Sequence, residues 1–150
     1  MKCMVIGSLM LMSAISFADV GDSIKGAVAG CGAHVESDVG VVKVTLPNKL
    51  QFDTGSIKPF AGMDTILCLV RIIKETELNL LVTGYADPKG SVEDNVELSY
   101  LRASKVKDLL VSYGVMPGRV NVEAKGESDL ISDNYFMRVL NRRVELKFIL

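Results

Sequence analysis

Tryptophan is missing from this 150-residue chain, histidine occurs once, and no run of lysine or arginine exceeds Arg142-Arg143. The last two shortages each remove a class of function. A net charge of −1 without a basic patch argues against a nucleic-acid partner. The lone histidine, His34, has no cysteine or acid at metal-ligand spacing and no oriented partner for acid–base work. No nucleophile elbow, phosphate-binding loop or dinucleotide fingerprint occurs. These absences point away from an enzyme, and no metal or cofactor is expected. Acids are plentiful, so composition leaves a carboxylate-pair hydrolase open, but nothing singles out a pair. With 49% apolar residues the chain is no disordered tail, and its length suits one domain.

Charge is also absent from Cys3 to Ala18. Lys2 precedes this apolar stretch and Ser16-Phe17-Ala18 closes it with small residues at the two inspected positions, the pattern of a secretory signal. Sixteen uncharged residues fall short of the ~20 that span a bilayer, so residues 1–18 are expected to be a cleaved signal peptide rather than an anchor. Cleavage would take the net charge to −2, leave no transmembrane segment, and leave Cys31 and Cys68. Export from the cytoplasm follows as the expectation.

Asp19 to Gly40 is rich in Gly and Ala without a clear period and reads as a leader (residues 19–40). From residue 41 to residue 150 the patterns sharpen. Val41 to Leu46 is a β-branched strand ending at Pro47. Phe60, Met63, Ile66, Leu67, Val70 and Ile73 recur at helical spacing after Pro59. Leu78 to Tyr85 is a nearly continuous apolar run, as in a strand covered on both faces. A second helix spans Asn95 to Tyr113, stopped by Gly114 and Pro117. Val120, Val122 and Ala124 alternate as a one-sided strand. After a loop, with or without a short helix, Val144, Leu146, Phe148 and Leu150 mark the last strand. The order β-α-β-α-β-(α)-β predicts an α/β (α+β) sandwich, helices packed on a mixed four-stranded sheet.

The first helix's apolar stripe centres near Leu67 and Val70, which puts Cys68 on the exposed side near Asp64, Arg71 and Glu75. Three readings of the cysteines stand. Cys31 and Cys68 form a disulfide tying the leader across this helix; both stay free thiols; or Cys31 is lipidated, since Val28-Ala29-Gly30-Cys31 looks like a lipobox. Charged Asp19, Asp22 and Lys25 between that stretch and the signal core weigh against the last.

On the second helix, with Leu98 at 0°, Leu109 falls at about 20°, Tyr113 at about 60°, Val106 at about 80° and Leu110 at about 120°. Arg102 falls at about 40°, inside the stripe meant for the sheet. A guanidinium aimed at a core needs a partner. The preceding strand ends in Gly84-Tyr85-Ala86-Asp87, and ligands gather at the carboxyl ends of parallel strands, where Asp53 also belongs. Two readings follow: a small site in which Arg102 grips a carboxylate and Asp87 an ammonium, or an internal Arg102–Asp87 ion pair.

Several segments carry a family resemblance: Leu50 to Pro59 (LQFDTGSIKP), Gly84 to Ser91 (GYADPKGS), Asn95 to Ala103 (NVELSYLRA), Tyr113-Gly114-Val115, Gly126-Glu127 and Asn141 to Glu145 (NRRVE). In this order and spacing, Val41 to Leu150 resembles the OmpA-like C-terminal domain family, which includes peptidoglycan-associated lipoproteins and flagellar stator proteins. The resemblance implies non-catalytic binding of peptidoglycan through the diaminopimelate of the stem peptide. Asp87 stands where the family's ammonium-binding Asp sits and Arg102 where its carboxylate-binding Arg sits; Asn95 and Asp53 match positions lining the same pocket. Arg142 shares the parity of Val144 and Leu146 and is expected to cap the core, with Arg143 pointing toward glycan or solvent. The family usually has Gly-His-Thr-Asp where this chain has Gly84-Tyr85-Ala86-Asp87, which removes a hydroxyl. Nothing resembles an outer-membrane barrel. Peptidoglycan, with other envelope proteins, is the expected partner. The competing readings are a structural subunit of a secretion, pilus or motor assembly that keeps the fold without wall binding, and a wall hydrolase.

Overall fold

The computed structural model describes residues 22, 24–27, 31, 34–38, 41–45, 50–59 and 62–149. The proposed signal (residues 1–18), Val28 to Gly30 of the lipobox-like stretch, Phe60 and Leu150 lie outside the described residues.

The sheet contains β1 (His34–Asp38), β2 (Val41–Thr45), β3 (Leu50–Gln51), β4 (Asn79–Gly84), β5 (Val120–Ala124) and β6 (Arg143–Ile149). Helix α1 (Met63–Glu75) joins β3 to β4, and α2 (Val92–Ser112) joins β4 to β5. Across the sheet the order is β1-β2-β6-β4-β5, with β3 also on β6. Among these pairings only β4 and β5 are parallel, and α2 is the crossover that this pairing requires. The α+β sandwich is therefore as expected, on a sheet extended by β1 and β3. The leader's lack of period hid β1, which pairs antiparallel with β2, His34 opposite Thr45. Its sequence, His34-Val35-Glu36-Ser37-Asp38, holds one apolar residue and so shows no alternation.

Alternation along β4 sends Leu80 and Val82 into the core, opposite Phe148 and Leu146 on β6 and Val120 and Val122 on β5. Both helices pack there, through Ile66, Leu69, Ile72 and Ile73 from α1 and Ala103, Val106 and Leu110 from α2. The other face of β4 is not the apolar layer the continuous run suggested. Thr83 reaches Glu123, and exposed Glu145 and Lys147 stand on neighbouring β6.

Helix α2 starts three residues earlier than its apolar pattern, because Ser91 caps it: the Ser91 hydroxyl accepts from the Asp94 N–H at 3.0 Å. Glu93 and Asp94 in its first turn suit the positive end of the helix dipole. It stops at Gly114, whose φ of 87° only glycine adopts freely, with Gly114 N donating to Val111 O and Val115 N to Leu110 O.

Two expectations for α1 fail. Leu67 and Met63 are about half exposed, and the buried arc runs through Thr65, Ile66, Cys68, Leu69, Ile72 and Ile73. Cys68 is buried, not exposed. The arc is broad because a second layer covers α1: helical residues 24–27 bury Ile24 and Ala27 in the same core, and Arg71 Nε donates to Ala27 O at 2.8 Å. A helical wheel drawn for one buried face cannot show two. Cys31 and Cys68 form a disulfide within this layer, their Cα atoms 6.1 Å apart.

Closing 37 residues with a disulfide restricts the unfolded chain, so Cys31→Ser with Cys68→Ser is expected to lower unfolding free energy by roughly 2–4 kcal/mol. Urea denaturation of the oxidised protein and the variant measures it. Gly84 is the tightest helix–sheet contact: a Cβ there would lie 1.9 Å from Ser99 O. Gly84→Ala is expected to cost roughly 1–3 kcal/mol or more by forcing α2 away from β4, read in the same titration.

Candidate functional site

Three segments converge at the carboxyl ends of β4 and β5. Beyond β4, Tyr85 N donates to Arg143 O and Ala86 N to Gly126 O, which delivers Asp87 at the sheet's end. The β3–α1 connection folds back over the same end, where Phe52 N donates to Arg142 O and Ser56 N to Asp53 O. The first half of α2 supplies Arg102. The close approach permitted by Gly84 brings that helix near enough for its side chain to reach both segments.

Arg102 is fully buried. Its guanidinium donates from Nε to Ser56 O at 2.9 Å, from Nη1 to Tyr85 O at 3.1 Å and from Nη2 to Asp53 O at 3.0 Å, and it lies 5.2 Å from the Phe52 ring centre. Backbone carbonyls are its direct partners, in place of the carboxylate that the ion-pair reading required. Burial lowers its pKa to about 10, against the pull of nearby Asp87 and together with the push of Arg142. It remains a cation at neutral pH.

Asp87, also buried, pairs with Arg142: Nη1 donates to Oδ2 at 2.9 Å, while Arg142 Nε donates to Phe52 O at 2.9 Å. Arg142 was expected to cap the core. The alternation that suggested this does not reach it, since β6 begins at Arg143 and Arg142 belongs to the preceding turn. Arg143, expected in solvent or on glycan, is instead buried over the Tyr85 ring at 3.8 Å and donates to Glu145 Oε1 and Asp129 O. The NRR match marked both residues, but strand parity could not assign their roles.

Asp53 joins the cluster by its carbonyl, and the residue is exposed. Asn95 is buried and donates from Nδ2 to Glu127 Oε2 at 2.6 Å, tying α2 to the turn after β5. Ser99 Oγ accepts from Gly126 N at the same junction. Neither Glu127 nor Ser99 has a role that sequence alone assigns, since each is an ordinary polar residue until the loop closes. Among the described residues no group of three or more His, Cys, Asp or Glu could hold a metal ion, and no helix is long and apolar enough to cross a membrane.

This arrangement offers a carboxylate with one oxygen beyond its Arg142 contact, in the field of a buried cation. Residues 51–141 match the OmpA family model. The chain belongs to the OmpA family. It is 39% identical to outer membrane porin F of Pseudomonas aeruginosa over 120 residues, covering 77% of this chain and 33% of that protein. It is 30% identical to the probable lipoprotein YiaD of Escherichia coli over 130 residues, 82% of this chain and 58% of that one. The chain thus spans about a third to three-fifths of these relatives. The structure of the cell wall anchor of the T6SS from Pseudomonas aeruginosa superimposes with a TM-score of 0.65 at 22% identity, covering 89% of this chain and 99% of that one. At that identity the likeness speaks for the fold. The relatives named here are an outer membrane porin and a probable lipoprotein.

Tyr85 gives this OmpA-like domain a pH signature. Burial, then Glu145, raise its pKa to about 12. The unfolded chain releases this proton near pH 10 and the folded chain near 12, so Tyr85 lowers stability as pH rises across that window. Arg102, with its folded pKa lowered, acts in the opposite sense above about pH 10. Tyr85→Phe is expected to remove the phenolate absorbance step near pH 12 and to flatten the alkaline loss of stability, measured by ultraviolet titration and denaturation at pH 9 and 11.

Proposed function

We propose that this domain binds peptidoglycan without cleaving it, gripping the free amino and carboxyl groups of diaminopimelate, and so holds an envelope protein or complex to the cell wall. The observation that carries this reading is a buried guanidinium, Arg102, within electrostatic reach of a buried carboxylate, Asp87, at the carboxyl end of β4. A zwitterion complements it. The ligand ammonium lies against the Asp87 oxygen not held by Arg142, and its carboxylate takes N–H groups of Arg142 and, once the ligand displaces the loop covering it, of buried Arg102. A guanidinium has five N–H donors and Arg102 commits three to carbonyls, so it keeps two. Asp53 and Asn95 line the site, Asp53 at its open side. Membership of the OmpA family and the likeness to a cell wall anchor support this reading. A periplasmic, signal-directed location agrees with the Cys31–Cys68 disulfide, which persists in oxidising compartments.

A second reading has an observation of its own. Asp87 already has a partner in Arg142, as it would in a structural subunit of a secretion, pilus or motor assembly that does not touch the wall. Sedimentation with purified sacculi separates the two. Under wall binding, Asp87→Asn is expected to weaken pelleting by on the order of 30-fold or more, from the ~2–5 kcal/mol cost of truncating one member of a desolvated pair. Sacculi with lysine in place of diaminopimelate should be retained poorly by the wild type. Equal retention on both walls, or full pelleting of Asp87→Asn, would reject the zwitterion mechanism. Arg102→Ala is the poorer probe, since it also releases three carbonyls that hold the site together.

A further inference from the structure

The loop between β5 and β6 carries a feature that the diaminopimelate site does not use. Within eight residues it exposes Leu130, Ile131, Tyr135, Phe136 and Met137. Phe136 is 87% exposed and Tyr135 73%. Their rings meet edge to face, centroids 5.7 Å apart at 87°, and the Arg138 guanidinium carbon lies 5.2 Å from the Tyr135 ring centre. The loop is built to hold them. Buried Asn141 accepts from Ile131 N at 2.8 Å and Ser132 N at 3.2 Å and donates to Ser132 O at 2.6 Å, which fastens the neck. Asn134 Oδ1 accepts from Phe136 N at 2.9 Å and caps the 3-10 turn Tyr135–Leu140.

An exposed aromatic pair on a fastened loop wants a flat, apolar surface, and its surroundings select which. Between residues 127 and 138 three acids stand beside Arg138, and Lys125, Arg142 and Arg143 nearby are each paired with a carboxylate, so the loop carries no free basic cluster to draw anionic lipid or nucleic acid. A neutral sugar ring needs none. Its polarised C–H face suits the electron-rich face of an aromatic ring, and its hydroxyl and amide groups suit the charged rim. The position fits too. Phe136 lies six residues before Arg142, largely at 3-10 rise, so the two Cα atoms are within about 12 Å. Two or three extended stem-peptide residues, at ~3.3–3.6 Å each, cover most of that distance.

We propose that Tyr135 and Phe136 form a sugar-stacking subsite that takes the amino-sugar strand of the same peptidoglycan whose stem peptide reaches Asp87. This rests on the wall-binding reading above, and the test keeps the two apart. Binding of two probes is measured by calorimetry: a sugar-free diaminopimelate-containing stem peptide, and the same peptide on its disaccharide. The disaccharide is expected to raise affinity roughly five- to tenfold, and Tyr135→Ser with Phe136→Ala to remove that gain while leaving the sugar-free peptide unchanged. Both side chains lie outside the core, so the variant is expected to keep its fold, checked by circular dichroism. Equal affinity for both probes in the wild type, or a gain that survives in the variant, overturns the subsite and leaves the wall reading intact. A concentration-dependent dimer in sedimentation velocity that the variant abolishes assigns the rings to a second copy and also overturns it. If folded wild-type protein binds neither probe, both proposals fall.

Discussion

A positive charge sealed inside the domain organises everything near it. Arg102 cannot be buried bare, since an unpaired cation in a low-dielectric interior costs several kcal/mol or neutralises. The fold answers with carbonyls: Ser56 and Asp53 from the β3–α1 connection and Tyr85 from the end of β4. These segments are irregular; Asp53 O also accepts from Ser56 N, and the guanidinium gives all three carbonyls a donor. The guanidinium and the loops thus complete each other. The contact is possible only because Gly84 and the α2 backbone at Ser99 nearly touch, so a glycine on a strand and an arginine on a helix belong to one device.

The same solution recurs where other irregular segments meet the core. Arg71 holds Ala27 O, Arg119 holds Thr76 O and Leu78 O, Arg142 holds Phe52 O, and Arg143 holds Asp129 O. A planar guanidinium with five donors can bind separate carbonyls at once, which a lysine ammonium does with less geometric definition. For a ligand site the consequence is preorganisation. Asp87 and its surroundings are fixed by bonds present before any ligand arrives, so little ordering remains to oppose binding.

How much of this was legible in the sequence depends on how many surfaces each element buries. Arg102 could be found because α2 buries one face, and a charge inside a single stripe is conspicuous. The main strands and the end of α2 at Gly114 were legible for similar reasons, since alternation and turn chemistry are local. Helix α1 misled because it buries two faces, against the sheet and against residues 24–27, so Cys68 and Leu67 exchanged their expected places. Arg142 and Arg143 were misread at a strand boundary, where alternation has not yet begun. The pairing of Arg142 with Asp87 joins residues 55 positions apart and leaves no periodic trace.

The two departures from the usual family motif take on a different meaning once burial is known. A missing hydroxyl at Ala86 suggested a weakened ligand contact. Ala86 is wholly buried, and its N–H is spent on the carbonyl of Gly126, whose own N–H is held by Ser99 Oγ. Tyr85 is buried too, beneath the Arg143 guanidinium and hydrogen-bonded through its hydroxyl to Glu145 on the opposite side of the sheet from α2. Their replacement therefore acts on how firmly the end of β4 is held, while the charges that would meet a zwitterion are untouched. Under the proposed binding mode, both positions would act on ligand affinity through how firmly Asp87 is held, since both side chains are buried.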